Sequence, residues 1–229
     1  VITVLTGADV ANLDVNWGLF LKDRPVIAVD RVRYVGEPVA MVAAVDERTA
    51  EAVLELIQVD YEPLPFVTDA HEALAKDAPL LHEDLKTLKD FYFKGEAKPV
   101  PGTNSYQNYR YEHGDVEKAF AEADHCFEDE FEFPMVFHYA MEPHCVIASF
   151  AEDGLTVWSC GQSPTAVQKV LARVFNLPLA KIRILSPYVG GGFGGKASVK
   201  IDPLVAALAW KAGRPVRVCL SISESMLTA

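Results

Sequence analysis

One glycine-rich segment, Tyr188–Lys196, is the part of the sequence best suited to bind a ligand through its backbone. Five of the six residues in Gly190–Gly195 are glycine, and the exception is Phe193. Because glycine lacks a Cβ atom, such a segment can adopt positive φ angles and direct several N–H groups at one point. We expect this loop to lie between a strand and a helix and to cradle a phosphate or an oxo group.

Two nucleotide-binding patterns fit the loop in part. Residues Gly190–Lys196 satisfy G-x-x-x-x-G-K, but Ala197 follows where the pattern requires a Ser or Thr that binds Mg²⁺. The loop also satisfies G-x-G-x-x-G, but Trp210 and Lys211 stand where a ribose-binding acid is expected. A nucleotide-binding enzyme that cradles phosphate remains an alternative. A second alternative is a non-catalytic interaction module in which the loop only packs against a neighbour.

Polar residues elsewhere in the sequence favour positioning over metal binding. Glu142 and His144 alternate around a proline, with His138 nearby, which suits an orienting network better than a set of metal ligands. Gln162, taken alone, fits a helix cap or a surface amide.

Six short motifs follow one another along the whole chain. They are Gly36–Ala40 (GEPVA), Val59–Pro65 (VDYEPLP), Met141–His144 (MEPH), Trp158–Pro164 (WSCGQSP), Gly190–Lys196 (GGGFGGK) and Gly213–Val216 (GRPV). Their order and rough spacing resemble the xanthine dehydrogenase and aldehyde oxidase family, and within it the large molybdopterin-binding subunit of the molybdenum hydroxylases. Six ordered motifs are far more specific than the glycine loop alone.

The resemblance implies an α+β fold with two parts. Residues 1–75 would form a hammerhead-type α/β domain that is incomplete at its N-terminus. Residues 76–112 would be a linker or arm, and residues 113–229 the first mixed α/β part of the molybdenum-cofactor-binding region. The middle segment agrees with this division, since its prolines, glycines and charges show little periodicity. Because the sequence begins at Val1 without a leader, we expect it to start inside a domain.

The resemblance also assigns roles to individual residues. It implies that Gln162 donates a hydrogen bond to an oxo ligand of molybdenum. It further implies that the backbone at Gly191, Gly192, Phe193 and Gly194 approaches the ligands of the metal. No side chain is expected to coordinate the metal directly. An amide side chain and free N–H groups are the donors that an anionic oxygen needs.

The activity implied by the resemblance is the oxidation of an N-heteroaromatic or aldehyde carbon with oxygen derived from water. Electrons would pass to [2Fe-2S] clusters and FAD on partner chains or domains. The expected partners are therefore an Fe–S subunit, an FAD subunit, the remaining C-terminal part of the molybdenum subunit, and a small-molecule substrate. The substrate-facing arginine and the general-base glutamate are expected beyond Ala229, so the chain alone is expected to be inactive.

Two residues beside the loop bear on the substrate and the cofactor. Purine-oxidising relatives carry a glutamate where this sequence has Ala197, so the resemblance does not extend to xanthine as the substrate. Lys196 is expected to face either a pterin phosphate or water.

The composition narrows the classes of partner. The chain of 229 residues has 21 Lys and Arg against 32 Asp and Glu, a net charge of -11, which argues against nucleic acid or anionic membrane as the main partner. No apolar run approaches the roughly 20 residues needed to span a bilayer. The four cysteines form no CxxC pair and are predicted to be reduced thiols in a cytoplasmic protein.

Hydrophobic periodicity and capping residues predict the elements that position these motifs. Strands are predicted at Val1–Thr6, Val39–Val45, Gln58–Tyr61, Cys126–Phe133, Cys145–Phe150, Leu155–Ser159, Lys181–Leu185 and Pro215–Leu220. Helices are predicted from Asp46 to about Ile57, from Asp115 to Ala123, from Ser163 to about Phe175 and at Val199–Ala212. The glycine loop falls between a predicted strand and a predicted helix, as a backbone binding site requires.

Overall fold

The computed structural model describes residues 1–13, 16–18, 22–83, 100–106 and 110–228. These residues divide into two compact units. The first unit contains Val1–Pro65 and the described chain from His138 onward, and the second is drawn from the described residues between Phe66 and Phe137. The domain boundaries drawn from the resemblance stay predictions.

The first unit holds all the strands found in the described residues. They are β1 (Thr3–Thr6), β2 (Ala40–Ala43), β3 (Cys145–Ala151), β4 (Gly154–Ser159), β5 (Ile182–Leu185) and β6 (Val216–Cys219). Its helices are α1 (Gly7–Val10), α2 (Glu47–Leu54), α5 (Pro164–Val174), α6 (Asp202–Ala212) and α7 (Ile222–Thr228), and the second unit carries α3 (Ala70–Ala73) and α4 (Val116–Glu122).

Two sheets organise the first unit. Strands β1 and β2 pair antiparallel, and a four-stranded sheet has the order β5-β4-β3-β6. In the larger sheet β4 pairs antiparallel with β3 and parallel with β5, so α5 serves as the crossover between β4 and β5. Helix α5 buries Val167, Leu171 and Val174, a spacing of four and three residues that places them on one helix face.

Helix α6 is the centre of the packing in the first unit. Every residue from Asp202 to Ala209 is buried, as expected of a helix that is apolar on all sides. One side, which includes Val205 and Ala206, joins the core formed with β3 and β4. Another side, which includes Leu204 and Leu208, joins the core formed with β1 and β2. The two sheets therefore share one buried helix.

Local capping signals identified several helices correctly. The Asp46 carboxylate accepts a hydrogen bond from Thr49 N at 2.7 Å at the start of α2, and the Asp115 carboxylate accepts one from Lys118 N at 3.0 Å at the start of α4. Helix α7 was not predicted, although its signal is present. Ser221 and Glu224 form a reciprocal capping box, with Ser221 N donating to Glu224 Oε2 at 2.7 Å and Glu224 N donating to Ser221 Oγ at 3.1 Å.

Two predicted strands are wrong. Gln58–Tyr61 and Cys126–Phe133 form no strand in the structure. The phenylalanines at 127, 131 and 133, which alternate with glutamates in the second stretch, are 78–88% exposed rather than buried on one face of a strand. An alternating pattern predicts a strand only where a neighbouring strand can accept and donate its backbone hydrogen bonds. No segment of the described chain pairs with either stretch.

The prediction of four reduced cysteines is wrong for two of them. Cys145 and Cys219 form a disulfide, whereas Cys126 is a free exposed cysteine and Cys160 a free buried one. The pairing of β3 with β6 places Cys145 directly opposite Cys219, with Cα atoms 4.1 Å apart. The two cysteines are 74 residues apart in the sequence, so local spacing could not predict that they pair.

Among the helices that the structure describes, none has the length and apolar character that a bilayer crossing requires.

Replacing Leu208 by alanine tests the central position of α6. Leu208 is fully buried, and we expect its truncation to lower the free energy of unfolding by about 2–5 kcal/mol, because the rigid surroundings leave a cavity. Urea denaturation monitored by circular dichroism measures the change. The matched control is Leu56→Ala at a position that is 76% exposed, where we expect a much smaller effect. Equal losses for the two variants would contradict the assignment.

The disulfide predicts a second stability difference. Cys219→Ser should lower the free energy of unfolding by roughly 2–4 kcal/mol, because the bond restricts a long loop in the unfolded chain. Cys126→Ser, which removes an exposed free thiol, should have little effect. Urea denaturation without reductant compares the two variants. Labelling of the unfolded, unreduced protein by maleimide should modify two thiols, and modification of all four would exclude the bond.

Candidate functional site

The glycine loop leaves β5 and leads into α6, as its sequence predicts. Its backbone takes three left-handed steps, with φ of 94° at Gly191, 51° at Phe193 and 98° at Gly194. Phenylalanine rarely adopts such an angle, and holding it there costs on the order of 1–3 kcal/mol. The strain falls at the crown of the loop, where Phe193 is 74% exposed.

Hydrogen bonds within the loop fold it into two successive turns. Gly195 N donates to Gly192 O at 2.7 Å, and Ala197 N donates to Gly194 O at 3.1 Å. The N–H groups from Gly191 to Gly194 find no acceptor anywhere in the described parts of the chain. Four consecutive amides are thus left as donors, and their binding of an anionic oxygen stays a prediction.

Gln162 lies against the loop, although 30 residues separate it from Gly192 in the sequence. Its backbone N donates to Lys196 O at 2.8 Å, which ties the end of β4 to the loop. Its side chain is exposed, and a Cβ atom added at Gly192 would lie 2.5 Å from Gln162 Cδ. Glycine is therefore required at 192 for Gln162 to occupy this place. The structure brings the predicted site residues together.

Glu142 clamps both ends of the loop. Its Oε2 atom accepts hydrogen bonds from Gly190 N at 2.8 Å and from Lys196 Nζ at 2.6 Å. Its own backbone N donates to Gly190 O at 3.4 Å. The prediction that Glu142 belongs to an orienting network is consistent with this geometry.

The expectation that Lys196 faces a pterin phosphate or water is wrong. The Lys196 side chain is only 2% exposed and is paired with Glu142. A buried ammonium needs a counter-charge to offset the loss of its hydration, and the nearest carboxylate supplies one. This partner lies 54 residues earlier in the sequence, so no local signal could have revealed it.

The ion pair sets the charge state of Glu142. Burial acts to raise the pKa of this carboxyl, but the hydrogen bonds from Lys196 and from the Gly190 amide outweigh it and lower the pKa below its ordinary value. Glu142 is therefore a carboxylate at neutral pH, and its negative charge is neutralised by the ammonium.

His144 and His138 lie beside the same loop. Burial, together with the positive charges of Lys196 and Lys200, lowers the pKa of His144, so its imidazole is neutral at pH 7. His144 N donates to Ser225 Oγ at 3.3 Å, which connects the site to α7. His138 covers the loop, since a Cβ atom added at Gly195 would lie 3.0 Å from its Nδ1.

Ser186 was missed by the sequence analysis. Its hydroxyl lies within hydrogen-bonding distance of Ser159 O at 2.9 Å and Gly161 O at 2.8 Å, so it holds the end of β5 against the turn that precedes Gln162. A serine directly after a strand is a weak signal, because its acceptors lie on another strand.

The side chains that could coordinate a metal ion are His, Cys, Asp and Glu. Within the described ranges, no group of three or more His, Cys, Asp or Glu side chains is placed to hold a metal ion. The chemistry available at the loop is hydrogen-bond donation from backbone amides and from the Gln162 amide.

Two protein families match adjoining parts of the sequence. Residues 98–229 match the molybdopterin cofactor-binding domain, and residues 1–65 match the a/b hammerhead domain of aldehyde oxidase and xanthine dehydrogenase. The first match alone covers more than half of the chain.

Curated relatives extend this similarity over nearly the whole sequence. A probable xanthine dehydrogenase subunit of Bacillus subtilis (strain 168) is 39% identical over 97% of this chain. The carbon monoxide dehydrogenase large chain of Afipia carboxidovorans is 33% identical over 91% of it. The chain spans 28% and 26% of these two relatives, respectively.

Solved structures show the same fold. The chain matches reconstituted CO dehydrogenase from Oligotropha carboxidovorans with a TM-score of 0.80 and 31% identity, over 98% of this chain and 28% of that one. It matches quinoline 2-oxidoreductase from Pseudomonas putida 86 with a TM-score of 0.79 and 29% identity, over 97% and 28%. The predicted fold class and family resemblance are confirmed. The chain belongs to the family of molybdopterin cofactor-binding subunits of the xanthine dehydrogenase and aldehyde oxidase type.

Proposed function

We propose that this chain supplies the part of a molybdenum hydroxylase large subunit that holds and polarises an anionic oxygen of the cofactor. The observation that carries the proposal is the packing of Gln162 on Gly192, beside four consecutive backbone amides without a protein acceptor in the described structure. Together these groups form a set of donors at one loop. Donors held in place before the reaction stabilise developing negative charge strongly, because they need not reorganise.

The residues present fit an anionic group. A free carboxylate next to the loop would repel it, but the charge of Glu142 is already paired with Lys196 at 2.6 Å. The absence of Cβ atoms at Gly191, Gly192 and Gly194 lets the side chains of Phe193, Gln162 and His138 lie close to the loop backbone. The site therefore presents donors without an opposing unpaired carboxylate from Glu142.

Each site residue has a distinct proposed role. Gln162 would orient the cofactor through its side-chain amide, and the backbone from Gly191 to Gly194 would donate hydrogen bonds. Phe193 would shield the bound group from water, since its ring is exposed next to these donors. When bound, the molybdenum cofactor would supply the two-electron redox chemistry that none of these side chains can perform.

The activity of the whole protein is also a proposal. We infer oxidation of an N-heteroaromatic or aldehyde carbon, with electrons passing to [2Fe-2S] and FAD partners. The remainder of the large subunit would provide the general-base glutamate and the substrate-facing arginine. The family assignment favours this function over the phosphate-cradling and interaction-module alternatives, because it accounts for the match along both parts of the chain. Ala197 has no carboxylate with which to contact a purine, so xanthine is not proposed as the substrate.

Replacing Gln162 by alanine tests the proposed role directly. In the complete enzyme, at equal molybdenum content, we expect kcat to fall by about 100- to 1,000-fold, as is typical when one preorganised donor is lost. Steady-state kinetics and metal analysis provide the two measurements. Gln58→Ala, at an exposed position in the first unit, should leave both values unchanged. Unaltered turnover in Gln162→Ala would remove this residue from the site.

Replacing Glu142 by glutamine tests the clamp on the loop. The variant leaves the buried Lys196 ammonium without a counter-charge, and we expect the free energy of unfolding to fall by about 1–3 kcal/mol at pH 7. Because the folded pKa of Glu142 is lowered, its contribution is present at pH values above the ordinary value of 4.5 and is lost as the pH falls through the folded pKa.

Urea denaturation at pH 7 and at successively lower pH measures this dependence. The difference between wild type and Glu142→Gln should shrink on the acid side, because the wild-type carboxyl then becomes neutral too. The double variant Glu142→Gln with Lys196→Met should recover part of the loss, since no unpaired charge is left. A difference that is constant with pH would show that the ion pair is not its origin.

A further inference from the structure

A small cavity lies in the first unit at the start of α6, and it shares no lining residue with the glycine loop. Its lining includes Trp17, Arg24, Tyr34 and Lys200, together with Ile201 and Leu204 from the beginning of the helix. The cavity has a volume of about 30 Å³. Two of the lining residues, Arg24 and Lys200, carry positive charge, and Trp17 carries an indole N–H donor.

The Arg24 guanidinium is held in a defined place. It lies over two aromatic rings, with Cζ 5.7 Å from the centroid of Trp17 and 5.8 Å from that of Tyr34. Reciprocal backbone hydrogen bonds of 2.8 and 2.9 Å between Trp17 and Arg24 fix the two residues side by side. Arg24 forms no ion pair with any carboxylate of the described chain.

Lys200 places a second positive charge at the same cavity. Burial, with a smaller contribution from Arg24, lowers the pKa of Lys200 to about 8. In the ranges given above, its ammonium has neither an ion-pair partner nor a hydrogen-bond acceptor. The one carboxylate in the cavity wall is Glu37, whose Oε2 accepts the Arg33 backbone N–H at 2.6 Å. Neither Arg24 nor Lys200 forms an ion pair with Glu37 or with any other carboxylate of the described chain.

One further unpartnered donor belongs to a residue that lines the cavity. Trp17 is 7% exposed, and its indole Nε1 is buried without a hydrogen-bond partner. Helix α6 begins at an N-cap, Ile201, whose side chain cannot accept a hydrogen bond from the first turn. The first turn of α6 carries the buried Asp202 carboxyl, so the helix terminus has an acidic partner of its own. The two cations and the indole N–H lack partners in the described chain, and an anion is the one partner that all three could share.

We propose that Arg24, Lys200 and Trp17 form an anion-binding pocket at the start of α6 that takes a single carboxylate group or an inorganic anion of similar size. A water-sized group requires about 10–15 Å³, so the volume of about 30 Å³ admits the two oxygens of a carboxylate and excludes a nucleotide. The carboxylate could belong to an Asp or Glu side chain elsewhere in the larger subunit, or to a free small anion. The inference is independent of the proposed molybdenum chemistry.

The structure of the complete large subunit, crystallised in the presence of sodium bromide, distinguishes the two sources. A protein carboxylate within hydrogen-bonding distance of Lys200 Nζ or the Arg24 guanidinium would identify an internal ligand. An anomalous bromide peak at the same place would identify a free anion. Either result supports the pocket, whereas water alone between the two side chains would overturn it.

Thermal unfolding of the complete subunit gives a second test that does not need crystals. The probe is sodium formate at constant ionic strength, and the variant is Lys200→Met, with exposed Lys169→Met as its matched control. For a free anion, formate should raise the Tm of wild type and of Lys169→Met by about 1 °C or more and leave Lys200→Met unchanged.

An internal carboxylate predicts a different pattern. Formate would then have no effect, and Lys200→Met would unfold at a lower temperature than Lys169→Met because the internal carboxylate loses a partner. If formate has no effect and the two variants unfold at the same temperature, or Lys200→Met unfolds higher, the pocket holds no anion and the proposal fails.

Discussion

The Lys196 ammonium is almost completely withdrawn from water, and the Glu142 carboxylate neutralises it at 2.6 Å. The same carboxylate oxygen also accepts the Gly190 amide, so one group holds both ends of the glycine loop. An unpaired buried charge is strongly destabilising, so Lys196 is stable in this buried position only while it is paired with Glu142. The loop between the two anchor points can then keep four amides unpaired and Phe193 in a left-handed conformation, because its ends are not free to relax.

The loop also depends on the helix that follows it. Helix α6 packs against both sheets of the first unit, so its first turn is positioned by two cores at once. The glycine loop is joined to this turn by the short segment 197–201. A site whose backbone must present donors in one arrangement benefits from such a rigid base, since small shifts of a hydrogen-bond donor weaken its interaction with a charged group. Arg24 and Lys200 line a cavity at the same turn, which also carries the buried Asp202 carboxyl.

The starts of two helices could be predicted from the sequence because their caps are local. Asp46 and Asp115 mark helix starts because a carboxylate accepts the amides of its own first turn, whatever surrounds it. Two predictions failed because of what lies far away in the sequence. Cys126–Phe133 alternates like a strand but has no neighbour to complete its hydrogen bonds in the described structure. The reduced state expected for Cys145 was wrong because a distant partner is present, since the register of β3 with β6 brings Cys219 opposite it.

The amino-acid order by itself determined the glycine loop and its strand and helix neighbours, because these follow from residue types at short spacing, and six ordered motifs along the chain carried the resemblance to its family. That resemblance also predicted Gln162 as a site residue. Only the tertiary structure decided that Gln162 packs on Gly192 and that Lys196 faces Glu142 rather than a phosphate or water. These contacts join residues 30 and 54 positions apart. Their partners are selected by the burial of charge and by packing, and neither is visible until the sheets and α6 bring the segments together.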